Sequence, residues 1–530
     1  MTGVQTCALP ICMADSDPND EIENISDLIN EGKCEDALKK LKLLESQMPN
    51  NTEFLMNCVA LRIDIGLGLK NSELISGAIH LGESYLDKTS CHQYKNHLYY
   101  NIANGYSSLF LLEHEKNRNI KLIIDNENLQ MAKTCFRKAI EENDGLNFSF
   151  NAVLWTNYGN CLDHLGRGIE AIYAYNEALR HDSKHTMAMG NRAVAMWHFS
   201  KISGAYRTPI SISAYQTLKS LLNNNDLIQF GGIKAKHSFQ GIVQQIENEF
   251  NDKRILEQNI EHPAYDLKHL SEFEKTYFEF CSRYKLFLNF HIHDDLCEPA
   301  LSDSIFIRLI TSVNDTTTFY TLAKYINQIK EDYAVARLLL VQSQFINQAF
   351  NNINQQTTYA NTLDYSQFNI YTGLLKSAFK EAYNILDKIA HFINEYYNLG
   401  MKSDIYFTSI WQDGPKNAKK IRERILKSEN PSLYALYDIY LDFKSGQYKQ
   451  IQDIRNASVH ERLVIYDSAL TDWDEKNDKN NIGYNTMLSQ TINLFQLVKS
   501  AIIYMINFVE LEENKKRKDE RPLPMLVETY

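Results

Sequence analysis

The chain has 530 residues, 66 acidic and 55 basic, for a net charge of −11, with 44% hydrophobic and 23% charged content. That balance is ordinary for a globular protein, excludes wholesale disorder and collagen-like structure, and at about 100–200 residues per domain gives room for two to four domains. The acidic excess also excludes a protein that coats nucleic acid non-specifically, because such binding comes from clustered Lys and Arg.

Residues 1–12, MTGVQTCALPIC, have neither the basic n-region nor the apolar h-region of a signal peptide, and they read as a non-native leader before a start at Met13. The longest apolar runs, such as residues 501–506, are too short to span a bilayer, so no membrane segment is expected. Nine cysteines, none in a CxxC pair and none beyond Cys297, fit reduced thiols in a cytoplasm better than a disulfide framework or a zinc ribbon. The expected location is therefore cytoplasmic.

Helical periodicity dominates, and no run of short alternating strands is visible. Residues 13–200 carry a repeated pattern of large and small residues. Gly32, Ala37, Leu41 and Pro49 form one second-helix half. Tyr99, Ile102, Ala103 and Tyr106 form a first helix, whose partner, Ala132, Phe136 and Ala139, is displaced by an insertion at 113–126. Trp155, Tyr158, Gly159, Leu162, Gly166, Ala171, Tyr175 and Ala178 give the fullest copy, and Met189, Asn191 and Ala193 open another first helix. The small residues let two antiparallel helices approach, and the large ones fill the remaining gap. This spacing resembles the tetratricopeptide repeat, a helix pair of about 34 residues. Ser183 stands where that repeat usually has a helix-ending proline, so this turn is less sharply specified.

Residues 201–300 are less regular and read as a helical connecting region. Its run His291, His293, Asp294, Asp295 and Cys297 is tempting as a ligand set, but a metal needs three or four donors converging at about 2.0–2.3 Å. One local run rarely supplies that, so a solvated turn is expected and no metal or cofactor is assigned.

Residues 301–515 read as a bundle of long helices, with 516–530 as a tail. Helical stretches are expected at 318–348 and 431–444. Leu375, Phe379, Ala382, Leu386, Ile389, Ile393 and Tyr396 form a stripe that Gly400 should end, and Leu488, Ile492, Phe495, Val498, Ile502, Met505 and Val509 form another. Four such segments imply a helical bundle, and the whole chain is expected to be all-α. Lys416, Lys419, Lys420, Arg422, Arg424 and Lys427 place six basic residues in twelve, with Glu423 the only acid. Such a run in an acidic chain is either an RNA-binding footprint or a solvated helix face.

The segment with chemistry is Gln452-Asp453-Ile454-Arg455-Asn456-Ala457-Ser458-Val459-His460-Glu461-Arg462. On a helix Asn456 and His460 share a face, with Arg455 turned roughly 100° from Asn456. A guanidinium offers a forked donor to phosphate oxygens, an imidazole moves a proton near neutral pH, and an amide orients either one. That set suits metal-independent RNA cleavage by the ribose 2′-OH. On residue types alone Arg455 can equally pair with Asp453 or Glu461, and His460 can pack within the bundle.

Arg-Asn-x3-His late in an all-helical bundle resembles the HEPN superfamily (higher eukaryotes and prokaryotes nucleotide-binding). So do the phrases LYALYDIYLDFKSGQYKQIQDIRNASVHERLVIYD, KEDYAVARLLL and AFKEAYNILDKIAHFINEYYNLG. The resemblance covers roughly residues 300–515 and points to a bacterial branch in which this domain follows tetratricopeptide repeats. It implies an endoribonuclease of toxin, stress or anti-phage systems. It assigns Arg455 to phosphate charge, His460 to proton transfer or 2′-OH positioning, and Asn456 to orientation. It also implies a homodimer with a composite site, because each chain has one motif. The repeats would bind a protein or peptide ligand in their groove. The competing reading is a non-catalytic scaffold with a degenerate domain. No P-loop, Rossmann glycine pattern or His-Glu-x2-His motif is present.

Overall fold

A computed structural model describes residues 18–47, 52–117, 119–143, 147–202, 207–260, 264–289, 297–305, 307–310, 316–414, 420–467 and 480–519. They fall into two compact units. One lies within Met1–His198 and Thr208–Asn259, the other within Phe199–Arg207 and Ile260–Tyr530. The proposed leader, Met13, Pro49 and the tail beyond Asp519 lie outside the described residues.

The first unit consists of α1 (Pro18–Asn30), α2 (Cys34–Gln47), α3 (Thr52–Gly68), α4 (Ser72–Leu86), α5 (His92–Lys116), α6 (Glu127–Glu141), α7 (Phe148–His164), α8 (Gly168–His181), most of α9 (Thr186–Ser200), α10 (Arg207–Leu222) and α11 (Asp226–Glu249). Consecutive helices pair as α1/α2, α3/α4, α5/α6 and α7/α8, and neighbouring pairs stack on one another. Ala37 and Leu41 of α2, Ala132, Phe136 and Ala139 of α6, and Ala171, Tyr175 and Ala178 of α8 are all buried at the helix contacts. The steric logic of the repeat is visible at Gly159, where a Cβ would come within 2.5 Å of the Tyr175 ring. Asparagines start several of these helices: Asn71, Asn126 and Asn147 each accept a hydrogen bond from a backbone N–H in the first turn.

Two details of this unit differ from the sequence expectation. The α3/α4 pair has no counterpart in the predicted pattern: within it a Cβ at Gly66 would come within 2.6 Å of Ile75, and the pair meets α5 through Gly82 against Ile102 and Gly105 against Ile79. The turn after α8 is well specified despite Ser183: the Asp182 carboxylate accepts from Lys184 N (3.0 Å), and its carbonyl accepts from His185 N.

The second unit contains α12 (Glu272–Arg283), α13 (Thr316–Gln344), α14 (Gln348–Asn354), α15 (Ile370–Tyr397), α16 (Glu423–Ser428), α17 (Pro431–Ser445), α18 (Lys449–His460) and α19 (Tyr484–Asp519). The stretch 201–300 thus divides, with α10 and α11 in the first unit and α12 in the second. In the bundle α15 packs on α13, α18 and α19, and α19 also packs on α17. The predicted α15 stripe from Leu375 to Ile393 is buried. The helix ends at Asn398, which adopts the left-handed conformation (φ 48°), two residues before Gly400. Pro431 opens α17 behind an Asn430 cap, and Gly446 (φ 87°) closes it.

α19 is buried on nearly every side between Leu494 and Glu510, not along one stripe, because α15 and α17 both pack on it. Its span Tyr484–Lys516 is long and apolar enough to cross a bilayer by length and composition, with 83% of the most apolar window inside the protein. Short strands, absent from the sequence reading, also form. β1 (Ser366–Gln367), β4 (Val464–Tyr466) and β5 (Asn481–Gly483) make a sheet in the order β1-β4-β5, with β1 antiparallel and β5 parallel to β4. β2 (Gln412–Asp413) pairs with β3 (Lys420–Ile421). Segments of two or three residues are too short for a period-two pattern to register.

Candidate active site

α18 follows α17 through the turn at Gly446. Ile451, Ile454 and Ala457, three residues apart, bury one face, and this helix packs against α15. That anchoring fixes the remaining faces: Arg455 is half-buried, and Asn456 and His460 are exposed. The helix stops at Glu461, and just before β4 the Leu463 carbonyl accepts from Lys376 Nζ of α15 at 2.7 Å.

The three motif residues meet through one atom. Arg455 Nη1 donates to Asn456 Oδ1 and to His460 Nε2, each at 3.2 Å. A guanidinium only donates, so His460 accepts through Nε2 and holds its proton on Nδ1 in this arrangement. The guanidinium also lies 5.6 Å from the centre of the Tyr383 ring, a cation–π distance. Arg455 Nε is buried and has no hydrogen-bond partner among the described residues.

The other wall of the site comes from α15. Tyr383, Asp387 and His391 are spaced four apart and lie on one face. Burial pushes the Tyr383 phenol up to about 12, with Asp387 adding to the rise and Arg455 opposing it. Burial also raises the Asp387 carboxyl. A hydrogen bond from Phe407 N (2.9 Å) and the nearby charges of Arg455 and His391 limit that rise. Sequence reasoning missed these residues, although Asp387 and His391 are visible as polar residues beside an otherwise apolar helix stripe.

Lys416 and Lys419 of the basic run lie outside the described residues. Lys420 is exposed on β3. Arg422 is turned inward, donating from Nε to the Ile410 carbonyl (2.8 Å) and pairing with Asp413 (3.5 Å), so it ties the β2–β3 segment together. Arg424 lies over the Tyr397 ring at 5.6 Å, and Lys427 pairs with Glu423 at 2.7 Å. His291, His293, Asp294 and Asp295 lie outside the described residues. Cys297 is buried, and no group of three metal-ligating side chains occurs among the described residues.

Residues 313–512, which contain α13 to α18, most of α19 and the Arg455 cluster, match the family model described as LA2681-like HEPN. The second unit carries a HEPN domain. The structures similar to this chain include a thermophilic tetratricopeptide-repeat protein of Thermus thermophilus, at 14% identity over 43% of this chain and 100% of that one (TM-score 0.31). Another is the TPR2AB domain of yeast Sti1 in a pHSP90 complex, at 12% identity over 43% and 98% (TM-score 0.18). The repeat architecture of the first unit rests on its helix pairs rather than on these likenesses. No curated protein matches the chain. The HEPN domain places its Arg-Asn-x3-His motif at the α15/α18 contact.

Proposed function

We propose that the HEPN domain is a metal-independent endoribonuclease acting in the cytoplasm in a toxin, stress or anti-phage role. The observation that carries this reading is the Arg455 guanidinium, held between Asn456 and His460 at the rim of α18 with the Tyr383 ring and Asp387 beside it. A phosphate entering beside Nη1 competes with His460 for that donor. The imidazole Nε2 lone pair is then released within reach of the ribose 2′-OH. The 2′-oxygen attacks phosphorus as its proton passes to His460, the P–O5′ bond breaks, and the leaving 5′-oxygen takes up a proton from water. The products are a 2′,3′-cyclic phosphate and a 5′-hydroxyl. Arg455 balances charge on the equatorial oxygens, and Asn456 orients the guanidinium.

The reading includes a homodimer through the HEPN domain and a protein or peptide ligand for the repeats. The test is cleavage of a mixed RNA pool in EDTA by wild type, Arg455→Ala and His460→Ala, with analysis of product ends. Cyclic-phosphate ends that disappear in both variants are expected. No cleavage by a folded wild-type dimer would move the assignment to a non-catalytic scaffold.

A further inference from the structure

Two cations on the seam between α15 and α18 have donors that the protein leaves unused. Tyr383 of α15 lies beneath Arg455, and Lys376, two turns earlier, donates to the Leu463 carbonyl just beyond α18, so the two helices run antiparallel along this seam. Lys380 falls between these contact points. At roughly 100° per residue, Lys376, Lys380 and Tyr383 lie within about 60° of one another, which places Lys380 on the face that α15 turns toward α18, about one turn from Tyr383. Lys380 is half-buried, and it makes no hydrogen bond or ion pair with any described residue. On the same seam Arg455 Nε is buried without an acceptor.

Charge selects the ligand. Lys376 and Lys380 are four residues apart, a like-charge spacing that destabilises a helix. Burial, and then the charge of Lys380, hold the Lys376 ammonium below the usual lysine range. The nearest acids on α15 do not offset this repulsion: Glu381 is exposed and turned roughly 100° round the helix, and Asp387 lies two turns along, beyond Tyr383, beside Arg455 and His391. Across the seam Glu461 accepts from Asn480 Nδ2 at 2.8 Å. What the seam lacks is an anionic acceptor, and a nucleic-acid strand supplies one in every phosphate. The described part of the basic run is a poorer candidate, because Arg422 and Lys427 already pair with Asp413 and Glu423.

We propose that Lys380 binds the RNA phosphate next to the scissile one and so positions the strand for Arg455 to reach the scissile phosphate. This rests on the nuclease reading of the same site. The test reads binding apart from cleavage, by fluorescence anisotropy of a labelled, randomised 2′-O-methyl oligonucleotide, which has no 2′-OH to attack. It is titrated over a KCl series with the full chain as wild type, Lys380→Met, Lys380→Arg and the control Lys39→Met, whose side chain is exposed on α2. Thermal melting checks that each variant folds. Lys380→Met should weaken binding about fivefold to tenfold at low salt and lower the slope of log affinity against log salt by about 0.7, the value of one phosphate contact to a single strand. Lys380→Arg and the control should stay near wild type. An unchanged slope in folded Lys380→Met, or no binding by wild type, overturns the Lys380 assignment. A Lys380-dependent slope without cleavage of a mixed RNA pool in EDTA upholds Lys380 as an RNA phosphate contact and overturns the nuclease reading instead.

Discussion

Asp387 is the residue whose role is most open to direct test. It is half-buried one turn beyond Tyr383, and its charge bears on both Arg455 and His391. Because burial raises its folded-state pKa above the ordinary carboxylate value, the ionised group is a native-state liability that weakens as pH falls through the folded pKa and the proton binds. Asp387→Asn should therefore leave stability at pH 7 unchanged or slightly increased. Cleavage should fall by about tenfold to a hundredfold as Arg455 loses its nearby counter-charge. Single-turnover cleavage and thermal melting measured together would check this. Lost stability with intact cleavage would make Asp387 a packing residue. The motif itself was legible at this scale, since Arg455, Asn456 and His460 lie within one helix turn or two and fixed helical geometry brings them together. Tyr383 and Asp387 were not, because their proximity to Arg455 arises from two helices distant in sequence.

The first unit depends at the level of its elements on a polar row that crosses from α5 to α9. Asn157 Nδ2 donates to Tyr100 OH (2.9 Å) and Asn104 Oδ1 (3.2 Å). Asn160 Oδ1 accepts from Tyr175 OH (3.0 Å) and Asn191 Nδ2 (2.8 Å). These groups are buried, so removing one partner strands the others away from water. Asn160→Ala should cost about 2 kcal/mol or more, since two donors lose their acceptor, as measured by urea unfolding. A loss below about 0.5 kcal/mol would show that water replaces the amide. The helix pairs around Tyr99, Ala132 and Trp155 were readable because small and large residues recur at helical spacing. The asparagine row was not, because hydrogen bonding between side chains on successive helices has no period along the chain.

The whole second unit is closed by a buried charge cluster beneath α12. Arg337 of α13 makes a two-point ion pair with Asp303 and donates to the Leu286 carbonyl, and Lys499 of α19 donates to the Lys285 carbonyl at 2.9 Å. Burial pulls the Lys499 ammonium down to about 7, with Asp303 opposing and Lys285 and Arg337 adding to the fall. Between this value and the ordinary lysine value of 10.5 the unfolded chain holds a proton that the folded chain has released. The Lys499 contribution to stability therefore rises with pH across that window, by up to about 1.4 kcal/mol per pH unit, and the full penalty remains below pH 7. Lys499→Met should be more stable than wild type at pH 6, and the difference should shrink toward pH 10. Urea unfolding at pH 6, 8 and 9.5 would check it. A pH-independent difference would contradict a charged buried lysine.

Much of the architecture follows from the chain itself. Stripes at 3.6-residue spacing require helices with one buried face, Pro431 marks where α17 begins, and Gly400 lies within two residues of where α15 ends. The Arg-Asn-x3-His pattern then places three polar heads on α18. Such features are local, and helix geometry converts residue spacing directly into position. Contacts between distant segments were decided by the tertiary structure: Tyr383 and Asp387 against Arg455, α19 surrounded rather than striped, Arg422 turned inward from its basic run, and Asp364 joined to Tyr466. Packing and desolvation depend on which surfaces meet, and that is set by all the helices at once, not by any window of sequence.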